Sequence, residues 1–291
     1  MKCKPEFFGM KKLPKISIDE NALLALANES VNKGLTVAGV QRKLSLHLSE
    51  ESDSRLTLVG YPAGYILKPQ SSEYLMLPEA EDLCMDMAEL CGIKTVPHGL
   101  IETENGELAY ITKRIDRVEN SKLAMEDFCQ LSERATEDKY KSSYEQCVKI
   151  INTYSDFVGL DLSEFFLRIV FCFVTGNSDM HLKNFSLIED PCTGLYRLSE
   201  AYDLLPVQLV ATEDIEDTAL TMLGKKKNFK KQSFLEFAEI AKIDSKVAVY
   251  MMNKVIACEN AFYDLIENSY LSKDLKTNFK KIVKDRIKVL K

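Results

Sequence analysis

Residues 176–188 read GNSDMHLKNFSLI. The near-continuous apolar run FFLRIVFCFV, Phe165 to Val174, leads into this stretch, and Phe185 to Ile188 leads out of it. Asn177, Asp179, His181, Lys183 and Asn184 therefore interrupt a segment that is building core. A surface turn needs fewer polar side chains than this. The set reads as a site held between two stiff elements.

The surroundings say what kind of site. The loop enters a strand-like run, Phe185–Glu189. The turn Pro191–Gly194 follows, and Leu195–Ser199 reads as the returning strand. A hairpin brings its second strand back to the level where the first began. Asp203, in AYDLLP, is thus expected near Asp179 and Asn184. Two carboxylates and a carboxamide make an oxygen-rich cluster suited to a hard cation such as Mg²⁺. The spacing resembles the protein-kinase catalytic apparatus. There a loop Asp accepts the substrate hydroxyl proton, an Asn five residues later holds metal, and an Asp beyond a strand pair holds metal too. The H-R-D and D-F-G signatures of ordinary protein kinases are absent.

Working outward, Ser17–Lys33 reads as a capped helix. Leu44, Leu46 and Leu48 alternate as a strand, and Leu56–Gly60 and Gly64–Gln70 follow as two more. A helix is expected from Pro78 to a stop at Gly92, then a hairpin around Asn105-Gly106. Beyond Asp116 helices are expected over Met125–Glu133, Ser143–Tyr154, Ser163–Val174, Ser233–Ala241, Lys246–Glu267 and Lys273–Val289, interrupted by one strand pair. The expected class is α+β, with a smaller sheet lobe over residues 1–115, a larger helical lobe over 116–291 and a cleft between them.

Phosphate chemistry on such a frame needs a lysine on the sheet lobe. Lys68 in YILKPQ is the candidate, and Glu81 on the next helix is placed either to pair with it or to favour the helix dipole. Taken alone, Lys68 also fits a solvated strand-end charge. Ahead of the first long strand, TVAGVQRK offers Ala38 and Gly39 with Gln41 and Lys43, a turn whose backbone N–H groups could cradle phosphates.

The chain has 291 residues, with 46% hydrophobic and 28% charged residues and a formal net charge of −6. That is enough for a sizeable core. A mildly acidic chain is a poor candidate for binding free nucleic acid unaided. No apolar run approaches the roughly 20 residues that span a bilayer. MKCKPEFFGMKK lacks the apolar stretch of a signal peptide. The eight cysteines form no C-x-x-C pair. A reducing, cytoplasmic setting is expected, without disulfides or zinc.

N-x-D-x-H-x-K-N-F, met by Asn177, Asp179, His181, Lys183, Asn184 and Phe185, resembles the catalytic loop of the HipA family of bacterial toxin kinases. V-x-G-x-Q-x-K at Val37, Gly39, Gln41 and Lys43 resembles that family's phosphate loop, and ILKPQ its nucleotide-lysine strand. ITKRIDR, EDFCQL, AYDLLP and ALTMLGKKKNFKKQSFLEFA resemble further blocks, in family order over nearly the whole chain. The resemblance implies a two-lobed, protein-kinase-like fold and an ATP- and Mg²⁺-dependent Ser/Thr kinase. It implies Asp179 as catalytic base, with Asn184 and Asp203 as Mg²⁺ ligands. Nucleotide contacts are implied for Lys68, for Val37, Ala38, Gly39, Val40, Gln41 and Lys43, for the backbone around Lys113 and Ile115, and for His181 and Lys183. It places Thr36 where family members carry a loop Ser that is autophosphorylated; an ordinary strand-entry Thr is the other reading. For His181, a satisfied loop histidine is the alternative.

Only about 35 residues precede the phosphate loop, which resembles the compact HipT form. Its implied partners are a HipB-like DNA-binding antitoxin, a small HipS-like protein and an aminoacyl-tRNA synthetase as substrate, with nucleic acid met only through the antitoxin and no membrane. KKKNFKK, Lys225–Lys231, either faces DNA in such a complex or is a solvated basic loop. Two other functions stay open: an inactive kinase-fold binding protein, and an AMP transferase on the same site.

Overall fold

The structure, a computed structural model, describes residues 15–16, 43–48, 55–58, 64–71, 73–103, 105–118, 121–211 and 216–291. The helix expected over Ser17–Lys33, and Thr36, Val37, Ala38, Gly39, Val40 and Gln41 of the phosphate loop, lie outside them. The chain divides into two compact units, Met1–Asp82 with Val96–Arg117 and Leu83–Thr95 with Val118–Lys291. The division falls inside one helix, because the residues after Asp82 pack with the second unit.

The first unit holds a six-stranded sheet. Its strands are β1 (Lys15–Ile16), β2 (Leu44–Leu48), β3 (Arg55–Leu58), β4 (Tyr65–Lys68), β5 (His98–Glu102) and β6 (Leu108–Lys113), in the order β1-β3-β2-β4-β6-β5. β1 runs parallel to β3 and every other pair is antiparallel. The period-2 pattern sets the register. Leu44 and Leu46 of β2 lie opposite Leu67 and Tyr65 of β4, and all four are buried. Central β6 buries Ala109, Tyr110 and Ile111 in succession, as expected of a strand covered on both faces. The β5–β6 turn closes with Thr103 N–H donating to Glu107 O (2.9 Å) and Gly106 at φ +82°. Helix α1 (Leu77–Leu90) begins with Pro78 in its first turn.

The second unit is mostly helical. It contains α2 (Phe128–Leu131), α3 (Tyr144–Tyr154), α4 (Val158–Thr175), α5 (Val207–Val210), α6 (Lys231–Ile240), α7 (Ser245–Ala257), α8 (Glu259–Glu267) and α9 (Lys273–Leu290). Every residue of α4 from Phe165 to Thr175 is buried. A three-stranded antiparallel sheet accompanies these helices: β7 (Met125–Asp127), β8 (Ser186–Glu189) and β9 (Tyr196–Leu198), ordered β9-β8-β7. The mixed α+β class holds.

Three expectations need correction. Met125–Asp127 is a strand, not the start of a helix, because Ser186–Ile188 supplies its ladder partner. Asp127 then caps the one-turn α2, accepting from Gln130 N while Gln130 bonds back to Asp127 N. α4 starts at Val158, five residues before the expected Ser163. The long helix expected over Lys246–Glu267 breaks at Cys258, whose thiol donates to Lys254 O (3.3 Å) and Leu90 O (3.5 Å). Among the described residues, no helix is long and apolar enough to cross a membrane.

Phe185 is the packing centre below the polar loop. Its ring lies 4.9 Å from Phe165, 5.7 Å from Phe128 and 6.4 Å from Tyr144, centroid to centroid. All four rings are at most 1% exposed. Phe185→Ala should lower stability by about 3–5 kcal/mol through lost burial and the cavity left behind. Chemical denaturation with an unchanged m-value would check it.

Candidate active site

The loop exists because of how α4 ends. Gly176 takes φ +68° and Asn177 N–H reaches back to Cys172 O (2.8 Å), a Schellman-type stop. A Cβ at Gly176 would meet Gln208 and Ile282 at 3.2 Å, so both backbone and space call for glycine. The chain leaves the helix still inside the unit, with Asn177 1% exposed. Its polar groups are therefore satisfied locally. Asn177 Oδ1 accepts from Asp179 N (3.1 Å). Asn184 Nδ2 donates to Asp179 O (2.9 Å). His181 N donates to Asp179 O (2.8 Å), and Leu182 N to Lys139 O (3.3 Å).

The Asp179 side chain is held by a residue that no motif marked. Tyr140 Oη donates to Asp179 Oδ1 at 2.5 Å, and its ring sits edge-on to His181 at 4.9 Å. Tyr140 is 40% exposed and lies in the strap between α2 and α3. His181 thus supports the residue that fixes the carboxylate. Lys183 turns the other way, and its Nζ pairs with Asp127 Oδ2 at 2.8 Å. Asp127 therefore caps α2 and anchors the catalytic-loop lysine at once. Its cap partner Gln130 is local and lies in the EDFCQL block, but its tie to Lys183 went unmarked in the sequence because folding sets that partner.

The β8–β9 hairpin returns the chain as its register requires. Leu187 lies opposite Leu198, and Ser199 N–H donates to Ser186 O (2.9 Å). Buried Arg168 on α4 holds Ser199 O (2.7 Å) and Glu164 (3.1 Å). Ala201 N–H donates to Lys94 O (2.7 Å). Tyr202 Oη donates to Lys183 O (3.1 Å) and accepts from Ser186 Oγ (2.5 Å). Burial pushes that phenol well above its ordinary range; the Ser186 bond counters the shift, and the Asp203 carboxylate adds to it. The residue before Asp203 is thereby tied to the residue before Asn184. Asp203 itself sits at φ +56°, a strained region that Asp tolerates better than most residues. Asp203, Asn184 and Asp179 occur at one end of one hairpin. With Asn184 Nδ2 engaged, its Oδ1 remains an acceptor, so the donor set is carboxylate and carboxamide oxygen. That chemistry fits Mg²⁺.

In the first unit, Lys68 Nζ and Glu81 Oε1 are 2.5 Å apart, with side chains 3% and 1% exposed. Lys68 lies 5.2 Å from the Tyr110 ring centroid, directly across the ladder. Lys43 is exposed at the start of β2, and Lys113 is exposed at the end of β6, its N–H donating to Pro97 O (2.9 Å). Ile115 follows in a turn locked by its neighbours. Arg114 grips Asp116 through two bonds (3.0 and 2.9 Å), and Arg117 adds a third at 2.5 Å. Burial alone would raise the Asp116 carboxyl, but the two guanidiniums outweigh it and hold it below 3.8. In the KKKNFKK stretch, Phe229 is buried, Lys225 lies over its ring, and Lys226 pairs with Glu216 (3.1 Å).

A family model described as the HipA-like C-terminal domain matches residues 35–262. The chain belongs to that family. A relative from Sinorhizobium fredii, named "Putative kinase Y4dM", is 30% identical over 239 residues, covering 77% of this chain and 56% of its own. A Haemophilus influenzae protein with a kinase name of the same form is 29% identical over 187 residues, covering 60% of this chain and 53% of its own. The chain spans about half the length of the curated relatives it matches. The structure is similar to HipA in the Shewanella oneidensis complex of HipA, HipB and operator DNA, with TM-score 0.72, 17% identity, and coverage of 87% of this chain and 64% of that one. It is also similar to the Helicobacter pylori proinflammatory kinase CtkA, with TM-score 0.60, 13% identity, and coverage of 85% and 95%. These likenesses show a kinase-like fold.

Two substitution sets check the site's electrostatics. Glu81→Ala removes a buried carboxylate partner of the Lys68 ammonium and should cost about 3–5 kcal/mol, whereas Lys68→Met with Glu81→Leu should recover most of that loss. Urea unfolding of the single and double variants measures both. Asp116→Asn should cost about 1–3 kcal/mol at neutral pH. Because the folded-state pKa is lowered, the native carboxylate stabilises the fold above the ordinary Asp range. That stability is lost as pH falls through the folded value, so wild type and variant should converge in acid. Thermal midpoints measured against pH would show the convergence.

Proposed function

We propose that this chain is an ATP- and Mg²⁺-dependent protein serine/threonine kinase serving as the toxin of a bacterial toxin–antitoxin system, in a compact HipT-like form. The observation that supports the reading is that Asp179, Asn184 and Asp203 come from one end of the β8–β9 hairpin in a chain of the HipA-like family. Phosphoryl transfer needs little covalent chemistry from the protein and depends on positioning and charge. Asp179 accepts the proton of the attacking hydroxyl, with Tyr140 fixing one of its oxygens and the Asn184 carboxamide fixing its backbone. Asn184 Oδ1 and the Asp203 carboxylate would hold the metal, which would supply charge neutralisation for the phosphate oxygens. The Lys68 ammonium, oriented by Glu81, meets the α/β-phosphates.

The partners belong to the same proposal: a HipB-like DNA-binding antitoxin, a small HipS-like protein, and an aminoacyl-tRNA synthetase as substrate in the cytoplasm. The HipA neighbour is in a complex with HipB and operator DNA, which supports an antitoxin of that kind. Thr36 is the proposed autophosphorylation site. A phosphate there would add about two negative charges and compete for the loop's donors.

The test is transfer of label from γ-labelled ATP with Mg²⁺ into proteins of a cell extract. Asp179→Asn should reduce transfer at least about 100-fold while leaving thermal stability near wild type. Equal transfer by both proteins would overturn the reading. Label arriving from α-labelled ATP instead would identify an AMP transferase.

A further inference from the structure

A second polar site lies in the helical unit, beside the strap that carries Tyr140 onto Asp179. A cavity of about 230 Å³ is lined by Ser132 and Arg134 after α2, by Ser142 just ahead of α3, and by Gln146, Lys149 and Thr153 along one face of α3. No acidic residue lines it, so two cations face one space; the carboxylate of Asp138 is attracted to Arg134 through space from outside it. Neither Arg134 nor Lys149 makes an ion pair with a carboxylate among the described residues; the nearby Asp138 pairs with Lys141 at 2.7 Å. Arg134 is nonetheless held in place, because its Nη1 donates to Lys141 O at 2.8 Å. The remaining guanidinium N–H groups keep a fixed direction. The Ser142 hydroxyl is buried and has no hydrogen-bond partner, an orphan donor that native structures rarely leave without a reason. Its backbone is pinned by Thr221, whose N and Oγ1 both donate to Ser142 O at 3.3 Å.

We propose that this cavity binds a phosphomonoester dianion carried on a protein segment, such as a phosphothreonine or phosphoserine side chain. The donors match that ligand. A guanidinium, an ammonium, a hydroxyl and a carboxamide supply a double positive charge and enough N–H and O–H groups for three phosphate oxygens. The position favours a peptide-borne phosphate over a free one. Ser142 is two residues from Tyr140, so a segment whose phosphate sits here passes the strap that fixes Asp179. The site is separate from Asp179, Asn184 and Asp203, and binding to it does not depend on phosphoryl transfer.

The full-length Asp179→Asn chain, isotope-labelled and catalytically silent, is titrated with N-acetyl-phosphothreonine amide, N-acetyl-threonine amide and inorganic phosphate while amide resonances are followed. The phosphorylated amide should shift residues 132–154 and bind at least tenfold more tightly than the unphosphorylated one. Arg134→Gln with Lys149→Gln should weaken that binding at least tenfold with little change in thermal midpoint, because both side chains are exposed. Ser142→Ala should weaken it a few-fold. Binding that is indifferent to the phosphate, or unchanged in the double variant, overturns the proposal. Equal affinity for inorganic phosphate and the phosphorylated amide overturns the peptide-borne part and assigns the cavity to a free oxyanion. Loss of γ-phosphoryl transfer in the active chain, with this binding intact, would count against the kinase reading alone.

Discussion

A helix whose last three turns are buried on every side has to end inside the protein, and α4, buried from Phe165 to Thr175, does so at Gly176. Its last carbonyls face no water, so they must be met by the chain that follows. The Asn177 N–H closes onto Cys172 O, and the positive φ at Gly176 turns the backbone in the one direction that permits this. Everything downstream inherits that constraint. The loop starts in a dry environment, so each polar group must find a partner within a few residues. The bonds from Asn177 and Asn184 to the backbone of Asp179 are the result. The same bonds that satisfy burial also immobilise the Asp179 backbone, so the cost of burying polar groups is offset by interactions that a catalytic carboxylate needs anyway.

Charge is handled differently in the two units. Lys68 and Glu81 are both almost fully buried, and the cost of taking either charge out of water is offset in part by the other. Replacing such a pair with apolar residues costs little or even stabilises, so stability alone gives no reason to keep it. An ammonium held at a strand end, oriented and poorly hydrated, is useful when an anionic ligand arrives. Lys183 and Asp127 are about one-third and one-seventh exposed, with side-chain values of 34% and 14%. Solvent weakens that pair, and its geometry matters more than its energy. It ties β7 and the cap of α2 to the loop, where a purely apolar contact could slide.

Local patterns in the sequence carried much of this architecture. The β8–β9 hairpin was legible because Asp190, Thr193 and Gly194 form a turn between two apolar runs. α3 was legible from its Ser143 cap and α9 from its Ser272 cap, each followed by helical periodicity. What failed was non-local. Met125–Asp127 has a helix-compatible composition and becomes a strand because β8, some sixty residues later, offers an unpaired edge. Cys258 breaks an uninterrupted helical pattern through a contact with Leu90, 168 residues away. Tyr140 and the tie from Asp127 to Lys183 escaped notice for the same reason, since neither has a signature until its distant partner arrives.

Tyr140 also changes how Asp179 should be pictured. A carboxylate at the mouth of a loop would ordinarily sample several rotamers, and an exposed base in water gains little direction. A 2.5 Å bond from a phenol fixes one oxygen, and the His181 ring braces the phenol from the side. The strap bearing Tyr140 is itself fastened to the loop, with Leu182 N–H on Lys139 O, and to the helical unit, with Ser142 against Thr221. The Asp179 carboxylate is thus positioned by a segment whose other end borders the basic cavity at Arg134. Any ligand that pulls on Ser142 or Arg134 acts on the same few residues that aim Tyr140. The two ends of the strap share a hydrogen bond, Arg134 Nη1 to the carbonyl of Lys141, the residue next to Tyr140.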